Sequence, residues 1–599
     1  MRPRLIYDGD CGFCRYTVGY AAAVTGEAVV YLPFQQVAGE YPDIPLEAFQ
    51  ASIQLIDYSG RTSGAAAAFR VLELGGRRAW MRLYRRLPGF AWLCERLYAW
   101  VARHRAACLR LARLLVGPKL IPARHERVAG WMGRGIGLCS LAAFVSLWWQ
   151  VQGLIGPDGV LPARSFLDAV AAGTGGERFY WLPTLLWIDA GSASLHLLCA
   201  VGAAAALVGV LGRWSTTSAL IQYGCYLSLL HAGQVFLSYQ WDTLLLECLV
   251  LAALLGRAPG AGVWAARALL LRFLFLSGYV KLASSDPSWW SGTALDYHFL
   301  TQPLPTVLAW YAAQLPEVLL RTASYATLFI ELVLALFVIG PRRLRLVALP
   351  AIVLLEGLIF LTGNYNFFNL LTLVLCLCLL DDADLPRRLK RPRRMKRPRL
   401  IVRPRRVSST GARCCAGVLI TLGALQMANQ LGVAVARPLL VYAQPWAVVN
   451  PYGLFAVMTT RRDELIIEGS LDGETWVPYE FPFQPGDVMR RPVWATPHQP
   501  RLDWQMWFAA LNGPAHADWI YDLLGALLEA SPAVLRLVED PLDGARPAML
   551  RVVAYRYRFA SPDVRRDSGA WWVRDQRREW LPPTRLRRPS IRHEPLTLD

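Results

Sequence analysis

The chain has 599 residues, of which 54% are hydrophobic and 18% charged. Soluble proteins carry about 25% charged residues, so the composition excludes a disordered chain, argues against an ordinary soluble enzyme, and the length requires more than one core. Lys and Arg number 63 against 44 Asp and Glu, a net charge of +19, and where that surplus lies matters more than its size.

In chain order, residues 1–118 read as a soluble α/β unit. LIYD (Leu5 to Asp8) and VVYLPF (Val29 to Phe34) are short strand candidates, and SIQLIDYSG ends in a turn before a helix-like AAAAFRVLEL. Arg-rich amphipathic helices follow, from Arg77 to Leu115. Cys11-Gly12-Phe13-Cys14 stands after the first strand, where a helix should open. The free N–H groups there stabilise a thiolate, so Cys11 would attack and Cys14 resolve a mixed disulfide. The residues alone are also compatible with an inert pair, or with half of a zinc site completed by Cys94 and Cys108. Asp8 and Asp10 interrupt the first apolar stretch, so no cleavable signal peptide is expected.

Nine apolar runs make a transmembrane domain over residues 119–436: 135–151, 190–211, 216–237, 242–255, 263–282, 319–339, 346–361, 367–380 and 414–435. The fourth and eighth are short enough to be re-entrant. Basic residues gather before the first run, at Arg213, at Arg257, at Arg342, Arg343 and Arg345, and in the tract Arg387–Arg413, which holds 13 basic residues and no acid. All these loops share one side if all nine runs cross. The positive-inside rule then places the amino-terminal domain in the cytoplasm and the carboxy-terminal domain outside. The tract reads as a loop against anionic lipid, and no nucleic-acid partner is expected.

Ionisable groups inside apolar helices are costly and paired or cavity-lining. Glu247, Arg272 and Glu331 form an expected intramembrane polar cluster, with Arg272 the partner of one or both carboxylates. Lys281 and Glu356 lie nearer the outer end. In the outer loops, Lys281, Asp296 and His298 are candidates for acid–base work, while the Trp and Tyr around them are also ordinary interface anchors. The span cysteines Cys139, Cys199, Cys225, Cys248, Cys376 and Cys378 suit an electron relay or, more plainly, helix packing.

Residues 437–575 read as a β-rich domain. From residue 437 onward there are 20 Arg and 20 acidic residues, so the whole charge surplus precedes it. ELIIEGSLDGETWVPYEF alternates around an Asp472–Gly473 turn, a hairpin signal, and RVVAYRYRF (Arg551 to Phe559) alternates likewise. No cysteine follows Cys415, so no disulfide framework is available there. The composition of the Arg/Pro-rich tail, residues 576–599, predicts disorder.

The first 110 residues resemble the DCC family of thiol-disulfide oxidoreductases through YDGDCGFC (Tyr7 to Cys14), RRLPGF (Arg85 to Phe90) and LYAWVARHR (Leu97 to Arg105). That resemblance implies a thioredoxin-like fold with Cys11 and Cys14 as the redox pair. From about Trp131 to Phe559 the chain resembles the lipase maturation factor family. The matching motifs are GLIGPDGVLPA (Gly153 to Ala163), QWDTLLLE (Gln240 to Glu247), ALDYHFLTQPLP (Ala294 to Pro305), GNYNFFN (Gly363 to Asn369), the long run from Asn450 to Trp476, PHQPRLDWQMWFAAL (Pro497 to Leu511) and YRYRF. FLFLSGYVKL…WW (Phe273 to Trp290) is similar to the membrane domain of vitamin-K-dependent carboxylase-like proteins, where a lysine matching Lys281 acts as a base.

The resemblance implies a multi-pass α-helical membrane protein with an amino-terminal thioredoxin-like domain and a β-rich extracytoplasmic domain. The animal members belong to the endoplasmic reticulum membrane. The fused DCC domain and the Arg-dominated composition point instead to the cytoplasmic membrane of a bacterium. Its expected function is to mature an exported lipase or other hydrolase, with Trp494, Trp504, Trp507 and Phe508 binding the client and a cytoplasmic thiol reductant serving the redox domain. Alternatives are a membrane enzyme acting on a lipid or quinone-like substrate, through Lys281, Asp296 and His298, and a transmembrane thiol relay. No metal is expected, and the only expected bound cofactor-like molecule is a lipid or quinone.

Overall fold

The computed structural model describes residues 2–213, 215–386 and 409–585. Most of the tract Arg387–Arg413 and the tail beyond residue 585 lie outside the described residues. The chain divides into an amino-terminal unit, residues up to Arg124 together with Gly340–Val347, and a second unit holding the rest.

The amino-terminal unit is built on a mixed sheet in the order β2-β1-β3-β4. Strand β1 (Arg4–Tyr7) runs parallel to β2 (Val30–Pro33) and antiparallel to β3 (Gln54–Asp57), which turns into β4 (Gly60–Ser63). The first helix, α1 (Gly12–Thr25), joins β1 to β2, the right place for a crossover between parallel strands. After β4 come α2 (Gly64–Leu74), α3 (Arg78–Arg86), α4 (Phe90–Arg103) and α5 (Arg105–Leu115). Glu95 on α4 accepts from Ala65 N and Ala66 N at the start of α2 (3.1 and 2.9 Å) and from the Tyr84 hydroxyl (2.8 Å). This anchors a carboxylate on a positive helix end. Gly64, at φ +63°, permits the approach: a Cβ there would fall 2.6 Å from Glu95 Oε2.

The second unit contains the membrane helices. Six described helices are long and apolar enough to cross a bilayer: α6 (Glu126–Ile155), α7 (Ser192–Val210), α10 (Pro259–Ala283), α12 (Glu317–Phe337), α13 (Arg342–Thr362), whose first turn belongs to the amino-terminal unit, and α15 (Thr410–Gln430). Six of the nine expected runs coincide with these. The other three fall on α8 (Ser215–Ala232), α9 (Gln240–Arg257) and α14 (Phe367–Cys376), which do not meet that measure. Helix α9 is buried along most of its length, as a helix enclosed by others should be. Between α10 and α12 lies the short α11 (Ala294–Thr301).

Residues 437–585 pack in this same unit. Their sheet has the order β6-β5-β7-β8, with β5 (Arg462–Ser470), β6 (Val477–Tyr479), β7 (Met549–Phe559) and β8 (Trp572–Thr584) all antiparallel. The Asp472 carboxylate takes the Glu474 and Thr475 N–H groups (2.8 and 2.7 Å) at the hairpin turn, with Gly473 at φ +83°. Helices α16 (Arg501–Asn512) and α17 (Trp519–Leu528) intervene before β7. Strand β8 corrects the expected tail: residues up to Thr584 pair with β7, with irregular register, at a sheet edge, where Pro residues are tolerated.

Candidate functional sites

The first site is the start of α1. Cys11 is the N-cap, and its Sγ accepts from Cys14 N at 3.3 Å. Burial opposes ionisation of Cys11. The Cys14 thiol, the Cys14 and Phe13 N–H groups and Arg105 outweigh it and hold the thiol below its ordinary value. Cys14 is buried, and burial, reinforced by its bond to Cys11, pushes it up to about 12. The two sulfurs are therefore unequal, one poised to be a thiolate and one held as a thiol. Arg105 is fixed by Gln50 O and Ala51 O (2.6 and 2.9 Å) and lies 3.5 Å from Asp8. The Gln35 amide bridges Asp8 and Asp10 (2.9 and 3.2 Å), which shapes the loop before α1. Behind Cys14 lies an apolar cavity of about 410 Å³, walled by Ile53, Phe69, Leu97, Tyr98 and Val101. Cys94 shares that wall, whereas Cys108 lies outside it on α5.

The second site is a set of buried ion pairs. Arg501 donates to both oxygens of Asp242 (2.7 and 3.0 Å), to Phe236 O (2.6 Å) and to Gln499 Oε1 (2.8 Å). Tyr226 completes the set through a 2.5 Å bond to Asp242. Around it, Gln150 takes Arg501 N (2.9 Å) and donates to Gln499 O (2.7 Å), and Ser146 takes Gln499 N (2.8 Å). His498 Nδ1 is 3.1 Å from Ser146 Oγ, and burial together with the Arg501 charge pulls it down to about 4. Nearby, burial pushes Asp503 up to about 7. PHQPR is thus seated on α6, α8 and α9.

Glu247 makes the next clamp. It pairs with Arg272 and accepts from Asn450 N (2.6 Å), Asn450 Nδ2 (2.9 Å) and the Tyr452 hydroxyl (2.9 Å). The expected three-membered cluster therefore divides. Arg272 serves Glu247, while Glu331 pairs with Lys281 at 2.9 and 2.8 Å. Glu331 sits in a π-helical turn, Ile330–Leu334, within α12. Gly278 lets the helices meet there, since a Cβ on it would be 2.9 Å from Glu331 Cβ. Glu356 is buried and receives Asn369 Nδ2 at 2.7 Å.

The proposed acid–base trio is not assembled. Lys281 is held by Glu331 and Ser277 O (3.2 Å) below the Trp289 ring. His298 is buried among Phe299, Tyr365 and Phe455, and burial plus the Lys281 charge brings it down to about 4. Asp296, two residues before it on α11, is exposed.

Trp504 is corrected from a client contact to a core residue. It is 4% exposed and packs on Trp241, Tyr239 and Tyr365. Trp507 is half-buried and donates to Thr301 O at 3.0 Å, Phe508 is half-buried beside it, and Trp494 is exposed.

Sequence reasoning missed Arg501, Asp242 and Arg462. Arg462 is 1% exposed, pairs with Glu464 at 2.5 Å, and donates to Leu300 O, Gln302 O and Pro303 O. Arg501, between Pro500 and Leu502, carried a local signal, since a charge in such a setting must be paired if buried, whereas Arg462, between Arg461 and Asp463, carried none.

The comparisons with known proteins cover the same regions. Residues 128–387 match the lipase maturation factor transmembrane domain and residues 448–582 its C-terminal domain. Mouse lipase maturation factor 2 is 34% identical over 587 residues, 76% of this chain and 83% of the relative. The chain belongs to the lipase maturation factor family. Human lipase maturation factor 1 is 31% identical over 525 residues, 80% of this chain and 92% of that protein. Residues 5–111 match the DCC1-like thiol-disulfide oxidoreductase family. No solved structure matches the chain. The protein is thus a multi-pass membrane member of the family carrying an amino-terminal thiol-disulfide oxidoreductase-like domain.

Proposed function

We propose that this protein assists the maturation of an exported lipase or related hydrolase, and that its amino-terminal domain performs thiol-disulfide exchange on a separate, cytoplasmic set of partners. Membership of the lipase maturation factor family across both the membrane and carboxy-terminal regions supports the first part. The proposed site is the cytoplasmic membrane of a bacterium, with residues 437–585 outside. Exposed Trp494 is the favoured client contact among Trp494, Trp504, Trp507 and Phe508.

In the redox domain, the Cys11 thiolate attacks a partner disulfide. A Cys11–partner disulfide forms and one partner sulfur leaves as a thiolate that takes up a proton. Cys14, deprotonated as it reacts, then attacks Cys11 Sγ, which releases the second partner sulfur and leaves Cys11–Cys14 oxidised. A cytoplasmic dithiol reductant returns the pair to its reduced form.

The test compares cells that make the protein with cells that lack it, measuring secreted lipase activity per unit of secreted lipase protein. Specific activity should fall in its absence and return on complementation. An unchanged specific activity across the exported hydrolases contradicts the maturation reading.

A further inference from the structure

Helices α3, α4 and α5 are unusual for a folded domain. Residues 77–115 contain ten Arg, no Lys and one acid, Glu95. That acid is turned inward to cap α2, so it does not neutralise the outer face. Two of the arginines reach acids elsewhere in the unit, Arg85 to Glu73 (3.7 Å) and Arg105 to Asp8 (3.5 Å).

Met81 on α3 is buried, and Leu97, Tyr98 and Val101 wall the cavity behind Cys14, but most of the large apolar side chains between these arginines are left exposed. Helices α4 and α5 have no fully buried residue. Trp92 is 60% exposed and Trp100 52%, and Leu93, Leu97, Leu111 and Leu114 are similarly open. Arg96 lies 4.3 Å above the Trp92 ring. Basic residues interleaved with exposed Trp and Leu on short amphipathic helices suit a headgroup layer, where the rings and aliphatic chains enter the acyl boundary and the guanidinium groups meet phosphate.

Further basic residues join this face from a later part of the chain. Arg343, in the first turn of the membrane-crossing helix α13, belongs to the amino-terminal unit and donates to Leu114 O at the end of α5 (3.4 Å). Residues 340–347, with Arg342, Arg343 and Arg345, therefore add further positive charge to the amino-terminal unit at the carboxyl end of α5. Helix α5 also backs the redox helix: a Cβ on Gly12 would be 3.0 Å from Leu109 Cδ2.

We propose that α3–α5 form a docking surface for the anionic phospholipid bilayer, which holds the Cys11–Cys14 pair at the membrane surface. The occupant is lipid rather than protein because the face combines a nearly unopposed positive charge with aromatic and aliphatic tips.

The test is hydroxyl-radical footprinting of the full-length protein in nanodiscs, read residue by residue at Trp92 and Trp100. Tyr58, 80% exposed on the β3–β4 turn, is the internal control. Labelling of both tryptophans should be about five-fold lower with about 30% phosphatidylglycerol than in phosphatidylcholine alone, and about 0.5 M salt should reverse much of the difference. The quadruple variant Arg78→Gln, Arg82→Gln, Arg86→Gln, Arg96→Gln should abolish the lipid dependence with Tyr58 unchanged. Equal, low labelling in both lipids at all salt concentrations would mean that protein covers the face, and would overturn the proposal. Equal, high labelling in both would overturn it as well.

Discussion

In the amino-terminal domain the reactive residue, Cys11, is half-buried at a helix terminus, and the groups around it favour its charged form. In the membrane body three buried charged pairs satisfy one another: Arg501 with Asp242, Arg272 with Glu247, Lys281 with Glu331. The same kind of local pattern, a few polar residues in an apolar setting, thus has two physical meanings. Where solvent reaches, it makes a reactive group. Where solvent is excluded, it makes a fastening, since one unpaired charge would cost more than the pair returns. The difference teaches that residues 437–585 are joined to the helices through their backbone and charges, rather than tethered beside them.

The largest expected effect comes from breaking a fastening. Arg501→Ala leaves Asp242 buried without its partner and should destabilise the body by about 3–5 kcal/mol. The expected outcome is loss of the monodisperse, folded protein in detergent, measured by size-exclusion yield and thermal unfolding. Asp242→Ala should behave alike, while Asp296→Ala, at an exposed position, should leave both measurements unchanged.

Next in size is the chemical contrast within the redox pair. Cys11→Ser should reduce alkylation of the peptide carrying Cys11 and Cys14 at pH 7 by about ten-fold or more, read by mass spectrometry so that Cys94 and Cys108 do not contribute, because Cys14 is held protonated up to about 12. Cys14→Ser should leave rapid alkylation in place. Since the Cys11 thiol lies below its ordinary value, its reaction rate should rise with pH and level off earlier than that of a free cysteine. Neither substitution should alter unfolding of the membrane body.

How much of this was legible in the sequence follows from range. CGFC was legible because its chemistry depends on a spacing of three and on the strand and helix beside it. The β5–β6 hairpin was legible from alternation and an Asp-Gly turn. Lys281 and Glu331 are 50 residues apart, and no local pattern says which carboxylate a buried cation will meet, so the sequence leaves Arg272 as the partner of one or both. Trp504 was read as a client contact because its own segment does not reveal that Tyr239 and Trp241 close over it. Asp296 and His298 are near in sequence, yet two positions along a helix face different surroundings.

A smaller effect separates hydrogen bonding from ion pairing. Tyr452→Phe removes one donor from Glu247 while leaving Arg272 in place, and should cost about 1–2 kcal/mol in thermal or denaturant unfolding. The smallest is a pH dependence. His498 titrates near 4 in the folded protein, below the unfolded value of about 6.5, so the unfolded chain takes the proton first. The contribution is complete above about pH 6.5 and is lost as pH falls toward about 4. Asp503, protonated up to about 7, contributes the opposite slope. The comparison is therefore made against His498→Asn, whose unfolding temperature should fall less between pH 7.5 and pH 5 than that of the parent.

The most direct test of the fastening is a double-mutant cycle on Arg501 and Asp242, with Arg501→Met, Asp242→Leu and the pair together, read by equilibrium unfolding in one detergent. The predicted coupling is about 2 kcal/mol or more, with the double variant more stable than either single one. Additive effects, with a coupling near zero, would contradict the claim that this buried pair locks the carboxy-terminal region onto the membrane helices.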